Sequence, residues 1–194
     1  MFNGVSDYVN ANNSFQSVFQ KDFSITVWCK PDFPVSPHTM YVLGTSLDSE
    51  EGWCGAVRLY LFYNPGLSRY ELSFYYSVQN QVDALVRLTD KDYAQWQGQW
   101  HYLSATVKQL SPYGFTLCLY VDGRLKGTTD SAVNNYALLS RYLNPWNLII
   151  GNEGGENDIL GSGWWEGIID NVKIFNKALP QPLVLIIKNK NLQN

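Results

Sequence analysis

Two alternating segments joined to a third by Asp-Gly constrain the fold of this chain more than any other feature. Residues 101–108 read HYLSATVK and residues 115–121 read FTLCLYV, and in each the apolar residues recur at every second position. This period of two is typical of a β-strand with one buried face. Asp122-Gly123 and the short segment RLKG follow. Asp-Gly suits a type I′ hairpin because both central residues need positive φ, so the sequence predicts an antiparallel meander in a β-sandwich.

Strand-like segments recur along the whole chain at intervals of about ten to twelve residues, separated by Gly, Pro, Asn and Asp, as in sandwiches and jelly rolls. None alternates with a helix-length segment, so we expect antiparallel sheets rather than parallel β-α-β units. The predicted strands lie near Tyr8 and at residues 23–30, 40–46, 56–63, 69–77, 84–88, 101–108, 115–122, 147–150 and 168–175.

Three segments between the predicted strands are long enough to carry binding groups. Residues 31–39 contain three prolines, residues 129–145 are rich in Asn and Tyr, and residues 151–163 contain five glycines and three acids. Long loops on a rigid sandwich are the usual place for such groups. We therefore expect a binding site at the rim of the sandwich.

The C-terminal segment predicts a short helix that packs back on the sandwich. Pro180 suits a first helical turn, and Leu183, Ile186 and Ile187 would form an apolar stripe at 3-4 spacing. Residues 188–194 are expected to form a polar end.

Composition limits the function classes. With 194 residues, 45% of them hydrophobic, the chain suits one all-β domain. The net charge is −3 and there is no basic run, which disfavours nucleic-acid binding. The longest apolar run, residues 183–187, is too short to span a bilayer. The opening MFNGVSDYVN lacks the basic and apolar regions of a signal peptide, so no export signal is expected.

The cysteines predict neither a disulfide framework nor a zinc site. Cys29, Cys54 and Cys118 are an odd set with wide, irregular spacing and no C-x-x-C. Cys29 shares parity with apolar residues and is expected to be a small buried hydrophobe. Unpaired thiols favour folding in a reducing compartment, although one bridged pair is an alternative.

Five motifs in order resemble the landmarks of the laminin-G-like, concanavalin-A-like jelly-roll family. They are FNGVSDYV from Phe2, FSITVWCKPDF from Phe23, Trp100-His101 with LCLYVDGRLKG, LIIG from Leu148, and GIIDNVKIFNKAL from Gly167. The resemblance implies an all-β, two-sheet antiparallel jelly roll over residues 1–179, with residues 180–194 as a C-terminal helix and tail packed on it. This scaffold hosts lectins, adhesion modules, calcium binders, glycan hydrolases and virion surface proteins, so the fold does not decide the function.

The resemblance also implies one structural calcium, ligated by Asp170 and Asp7 together with loop carbonyls. Position 3 carries Asn where many relatives carry Asp, which removes one charge from such a site. Asp170 shares parity with Ile168 and Val172, so alternation predicts that it points toward the apolar side. The alternative to calcium is that Asp170 accepts hydrogen bonds from backbone N–H groups where the termini meet.

Catalysis is not expected. Glycan hydrolysis needs two rigid carboxylates, and the E-x-D-x-x-E strand of the related endo-glucanases is absent. Glu153 and Glu156 lie in a glycine-rich segment with nothing to hold them in place, and neither His38 nor His101 has an evident nucleophile.

Aromatic side chains are the remaining candidates for ligand contact, because an exposed indole or phenol can stack on the apolar face of a sugar. Trp28 and Trp100 lie in motifs of the family and Trp165 precedes another, so these three are expected to be packing residues. The remaining four lie in predicted loops or at strand edges and are the candidate glycan contacts: Trp53, Trp96, Trp146 and Trp164.

The sequence therefore predicts a non-catalytic binding and adhesion module that recognises a glycan or a protein partner through its rim loops. The favoured context is a virion surface, as a phage capsid decoration or tail receptor-binding protein, with capsid, tail or sister subunits as partners. The alternatives are an extracellular, calcium-dependent carbohydrate-binding module of a secreted bacterial protein and, less favoured, a glycoside hydrolase.

Overall fold

Two antiparallel sheets form the computed structural model, which describes residues 1–12, 15–19, 21–45, 57–78, 82–110, 114–132, 147–152 and 163–191. In chain order the strands are β1 (Phe2–Asn3), β2 (Val9–Asn10), β3 (Phe23–Pro31), β4 (Met40–Thr45), β5 (Val57–Asn64), β6 (Arg69–Val78), β7 (Val82–Leu88), β8 (His101–Leu110), β9 (Gly114–Val121), β10 (Arg124–Ala132), β11 (Leu148–Ile150) and β12 (Glu166–Phe175). Sheet A has the order β1-β12-β3-β8-β9-β10 and sheet B the order β2-β11-β4-β5-β6-β7. The predicted all-β, two-sheet fold is confirmed.

Alternation along the strands builds the core between the two sheets. In β3, Phe23, Ile25 and Val27 are fully buried, and they face Leu59 and Leu72 of sheet B in one hydrophobic cluster. Each such side chain contributes about 1.5–3 kcal/mol relative to an exposed one. The apolar parity read from the sequence is therefore the parity that faces the opposite sheet.

Cys29 continues this inward series of β3 and is fully buried, as predicted. Burial raises the pKa of its thiol, and the nearby charge of Asp122 adds to the effect. Cys29 and Cys118 are free thiols, whereas Cys54 lies outside the described residues.

The β9–β10 hairpin has the predicted turn. Asp122 has φ 52° and Gly123 has φ 80°, so both central residues adopt the positive φ that a type I′ turn needs. The Asp122 carboxylate accepts hydrogen bonds from the Tyr102 N–H at 3.0 Å and pairs with His101 Nδ1 at 3.0 Å. Burial alone would raise the pKa of Asp122, but these hydrogen bonds outweigh it and lower the pKa.

Strand β10 is longer than predicted. It pairs with β9 as far as Ala132, opposite Gly114, so it enters the segment predicted as a loop from residue 129. Ladder hydrogen bonds to β9 compensate for the low strand propensity of Asp130 and Ala132.

Three short helical elements complete the described structure. Helix α1 covers Gln16–Phe19, a 3-10 turn covers Tyr93–Trp96, and helix α2 covers Gln181–Asn191. Asp92 begins the 3-10 turn, since its side chain accepts a hydrogen bond from the Ala94 N–H at 2.9 Å.

Helix α2 lies on the outer face of sheet A. Val184 is buried and Ile187 half-buried against Tyr102 and Tyr120, which point outward from β8 and β9. The predicted apolar stripe is wrong in two members, because Leu183 and Ile186 are exposed. The helix turns the side with Val184 toward the tyrosines, which places residues 183 and 186 toward solvent. The boundary proposed at residue 180 stays a prediction.

Within the described residues, no helix combines the length and apolar character needed to cross a membrane.

Candidate functional site

The outer face of sheet B carries a row of side chains across four strands. The register aligns Tyr41 of β4 with Tyr60 of β5, Tyr60 with Ser73 of β6, and Ser73 with Arg87 of β7. Leu59 and Leu61, the neighbours of Tyr60 along β5, are fully buried in the core, so Tyr60 and the residues paired with it point outward.

Arg87 is held in place at the β7 end of this row. Its guanidinium lies 4.1 Å from the centre of the Phe62 ring, close enough for a cation–π contact. Its Nε donates a hydrogen bond to Ser73 Oγ at 3.2 Å and lies 4.0 Å from Glu71 Oε2. The structure gives the two terminal amino groups of Arg87 no hydrogen bond to any described residue, and the side chain is 29% exposed. These amino groups can therefore donate to a ligand.

Glu71 is the charge that organises this part of the face. Its side chain is only 2% exposed, and its Oε1 accepts hydrogen bonds from Arg69 Nε at 3.1 Å and Arg69 Nη2 at 3.0 Å. Asn64 Nδ2 adds a third contact at 3.4 Å. A buried carboxylate is costly without such partners, and Arg87 lies near the opposite oxygen.

A second cation–aromatic pair lies on the same face. Arg58 of β5 is aligned with Tyr75 of β6, and its guanidinium lies 5.5 Å from the centre of that ring. Tyr41 and Tyr60 are stacked, with ring centres 5.0 Å apart, but each is only 8% exposed, so this pair supports the face and offers a ligand little surface. Guanidinium groups bind carboxylates through paired hydrogen bonds, and aromatic rings pack on the C–H faces of sugars. The half-buried Arg87, Arg58 and Tyr75 therefore place two guanidinium groups and one aromatic ring on this face, the types of group that bind an acidic carbohydrate.

The structure separates the four predicted tryptophan contacts. Trp53 and Trp146 lie outside the described residues. Trp164 is half-buried, with its ring centre 6.0 Å from that of Tyr8. Trp96 is 3% exposed and stacks on His101 at 4.0 Å. The predicted exposure of Trp96 is wrong, because the 3-10 turn directs its ring onto the end of the core.

The three tryptophans expected to be packing residues also differ. Trp165 is fully buried, as predicted. Trp100 is 44% exposed, so the prediction is wrong for this residue. It lies just before β8 and shares parity with Tyr102, which places it on the outer face of sheet A. Trp28 is half-buried on that face.

The two predicted calcium ligands lie in different surroundings. Asp7 is half-buried and accepts a hydrogen bond from the Asn3 N–H at 3.1 Å. Asn3 in turn accepts hydrogen bonds from three successive N–H groups, of which those of Val5 and Ser6 are both at 2.9 Å. The side chains of Asn3 and Asp7 thus form hydrogen bonds within the N-terminal loop.

Asp170 is exposed, and its predicted orientation toward the apolar side is wrong. The β12–β3 register shifts between Asp170 and Lys173, and Asn171 has φ 55°, so a bulge interrupts the alternation. Asp170 Oδ1 accepts a hydrogen bond from the Asn171 N–H at 2.8 Å. Among the described residues, no group of three or more metal-ligating side chains occurs. The calcium site stays a prediction.

The residues weighed for catalysis form no reactive arrangement in the described part of the chain. Glu153 and Glu156 lie outside it. His101 pairs with Asp122, and Cys29 is its cross-strand partner in β3, but the thiol is fully buried and burial raises its pKa. A buried thiol of raised pKa is not poised as a nucleophile.

Sequence reasoning did not identify Arg87 and Arg58. The available signal was an arginine between two apolar strand residues, as in Val86-Arg87-Leu88, which marks an outward position of a half-buried strand. The partners that make such a position informative, Phe62 and Ser73, come from other strands and follow only from the register.

Comparison with known families and structures supports the fold assignment. A family model described as the concanavalin A-like lectin/glucanases superfamily matches residues 3–184. No curated protein matches the sequence.

Solved structures with the same fold include a sialidase CBM40 and a neurotoxin binding domain. The CBM40 of the Ruminococcus gnavus IT-sialidase, bound to α2,3-sialyllactose, aligns with TM-score 0.65 and 9% identity over 95% of each chain. The botulinum neurotoxin serotype C1 binding domain aligns with TM-score 0.59 and 13% identity. The alignment covers 94% of this chain but only 40% of the toxin domain. At these identities the likeness establishes the fold.

Proposed function

This chain belongs to the concanavalin A-like lectin/glucanases superfamily, and on that premise we propose that it is a non-catalytic carbohydrate-binding module whose outer face of sheet B takes an acidic glycan. The observation that carries the proposal is the fixed position of Arg87. Phe62 lies beneath its guanidinium and Ser73 accepts from Nε, so binding a carboxylate requires little further ordering of the side chain.

The electrostatics of the face favour an anionic ligand. Glu71 is buried beneath Arg69 and Arg87 and is matched by two positive charges, and Arg58 adds a third on the same sheet. Standard strand geometry places the Cα atoms of Arg58 and Arg87 about 12 Å apart, two strands and two residues from each other. That separation suits a sugar of two or three units, held by its carboxylate at one end.

The structural neighbours support this class of ligand. The R. gnavus module was solved with α2,3-sialyllactose, whose sialic acid carries a carboxylate. A botulinum neurotoxin DC binding domain was solved with SialylT, and another structure of that domain contains rat synaptotagmin II. We commit to the acidic glycan, because the position of Arg87 favours an anionic group such as a carboxylate. A protein partner, the extracellular setting and the virion surface stay predictions.

The experiment is an NMR titration of the folded protein with 3′-sialyllactose, monitored at the Arg87 Nε–H, with lactose as the neutral comparison. We expect sialyllactose to shift this signal at concentrations at which lactose does not. In Arg87→Met, the affinity for sialyllactose measured by calorimetry should fall about tenfold or more, since a hydrogen bond to a charged group contributes roughly 1.5–3 kcal/mol.

Arg124→Met is the matched control, because Arg124 is exposed on β10 at the edge of sheet A. It should retain the affinity of the parent protein. Equal losses in Arg87→Met and Arg124→Met would refute the role of Arg87, and no binding across a panel of acidic glycans would refute the function. Hydrolysis products after prolonged incubation with sialyllactose would contradict a non-catalytic module.

A further inference from the structure

The outer face of sheet A has an uncovered strip beside helix α2. The register places Asp170 of β12 opposite Trp28 of β3, and Trp28 opposite Tyr102 of β8. Two residues along, Lys30 lies on the same face next to the position of Trp100. Helix α2 covers Tyr102 but leaves Trp100 exposed.

Two indole rings form a corner in this strip. The rings of Trp28 and Trp100 are nearly perpendicular, at 80°, with centres 6.5 Å apart. Trp28 is fixed from behind by Tyr102, whose ring centre is 5.2 Å away. Trp28 also packs against the cluster that includes Val184. Trp100 thus lies against a rigid neighbour while 44% of it remains exposed.

Polar groups with unused bonding capacity border the corner. Asp170 Oδ1 accepts from the Asn171 N–H, whereas the structure gives Oδ2 no partner among the described residues. The pairing of Asp170 with Trp28 places this exposed carboxylate on the strip. Lys30 is half-buried on the same face and forms no ion pair with any described residue. One acceptor and one donor are therefore available beside the indoles.

We propose that this strip is a second carbohydrate site, specific for a neutral pyranoside and separate from the face with Arg87. The C–H face of the sugar stacks on Trp100, and its hydroxyl groups donate to Asp170 Oδ2 and accept from Lys30 Nζ. Strand geometry places the Cα atoms of Asp170 and Trp100 about 12 Å apart, two strands and two residues from each other. The Trp100 side chain spans part of this distance, and one pyranose ring with its hydroxyl groups spans the rest.

Size and charge distinguish this ligand from other occupants. The strip between β12 and β8 covers on the order of 100 Å², whereas a stable protein interface buries about 800 Å² per partner. The opposite charges of Asp170 and Lys30 leave the strip without a net attraction for an anionic sugar, so the strip selects neutral glycans and the Arg87 face acidic ones. Because the two outer faces lie on opposite sides of the sandwich, both sites can be occupied together.

The experiment is an NMR titration of the full chain with lactose, monitored at the indole N–H signals of Trp100 and Trp28. We expect lactose to shift both signals. Trp100→Ala should weaken lactose binding roughly tenfold by removing the stacking surface. Asp170→Asn, which leaves the indoles in place and the fold intact, should weaken it roughly threefold by removing the charge that strengthens the hydroxyl contact.

Arg87→Met is the control that separates this site from the proposed function, and it should bind lactose like the parent protein. Lactose binding that survives both Trp100→Ala and Asp170→Asn would overturn the inference, as would binding that disappears in Arg87→Met. Indole shifts that follow protein concentration without sugar would assign the strip to self-association instead. If neither lactose nor any other neutral glycan of a panel shifts the Trp100 signal, the inference fails even where sialyllactose binds the Arg87 face.

Discussion

Replacing Glu71 by Gln tests whether the buried carboxylate organises the outer face of sheet B. The amide has nearly the same shape, but it removes the charge that faces Arg69 and Arg87 and turns an N–H₂ group toward one of them. Hydrogen bonds to charged groups contribute about 1.5–3 kcal/mol each. Because Arg69 and Arg87 are 27% and 29% exposed, solvent screens part of this energy. We therefore expect a total loss of about 2–3 kcal/mol for the two arginines together.

Thermal unfolding followed by circular dichroism measures this loss. For a domain of this size, 1 kcal/mol shifts Tm by about 2–4 °C, so Glu71→Gln should lower Tm by roughly 4–12 °C. Asp130→Asn is the matched control, since it also removes one strand carboxylate but from an exposed position on β10, where Asp130 accepts from Thr116 Oγ1 at 2.6 Å. Its Tm should change by about 2 °C at most. Equal Tm values for the two variants would show that the Glu71 cluster contributes no net stability.

Two further predictions concern the backbone and the hairpin. Gly167 has φ 119°, and an added Cβ would clash with the Lys30 carbonyl oxygen, whereas Gly98 has φ 64° with open space around it. In urea unfolding, Gly167→Ala should therefore cost more than about 3 kcal/mol and Gly98→Ala only about 1–2 kcal/mol, and equal costs would refute the clash. The folded protein lowers the pKa of Asp122, so the ionised carboxylate stabilises the fold at pH values above the ordinary carboxyl pKa of about 3.9. This stabilisation is lost as the pH falls from that value through the lowered pKa. Asp122→Asn should therefore reduce the fall of Tm between about pH 4 and pH 2; an unchanged slope would contradict the assignment.

The strands were predictable from sequence because their inner faces must be apolar. In β8 and β9 the apolar residues alternate without interruption, and the Asp122-Gly123 turn sets the pairing of β9 with β10. The same reasoning fails where the backbone departs from alternation. The bulge after Asp170 changes the parity that faces the core, from Ile169 before it to Val172 and Ile174 after it, so Asp170 points outward. Nothing in the local sequence IIDNVKIF marks the position of this bulge.

The tryptophans show the same limit in a different way. A position in a family motif or in a predicted loop says nothing about which side of a ring meets solvent. Trp96 lies in a turn and is buried because that turn closes over the core beside His101. Trp100 lies just before β8 and points to the outer face of sheet A. It is exposed because helix α2 does not extend over this position. Exposure here depends on tertiary packing, which the sequence pattern does not contain.

The candidate site on sheet B could not be assembled from sequence for a related reason. Tyr41, Tyr60, Ser73 and Arg87 come from four strands, and only the register makes them one row. The sequence pointed instead to the rim loops, and residues 133–146 and 153–162 of those loops lie outside the described structure. The residues on the outer face of a sheet show no apolar periodicity in the sequence. A site formed by them can be recognised only when the pairing of the strands is known.

The two proposed sites would have a consequence that neither has alone. In a sandwich the inner faces of the two sheets pack against each other, so ligand contacts can form separately on each outer face. The Arg87 side and the Trp100 side point away from each other, which prevents one short glycan from reaching both. A module of this kind would join two glycan chains rather than grip one, and on a surface dense in glycans the second contact would form at a high effective concentration. The module could then attach firmly even if each site bound its sugar weakly. Loss of either site should reduce attachment to a glycan-dense surface by more than it reduces the affinity of the other site for its free sugar.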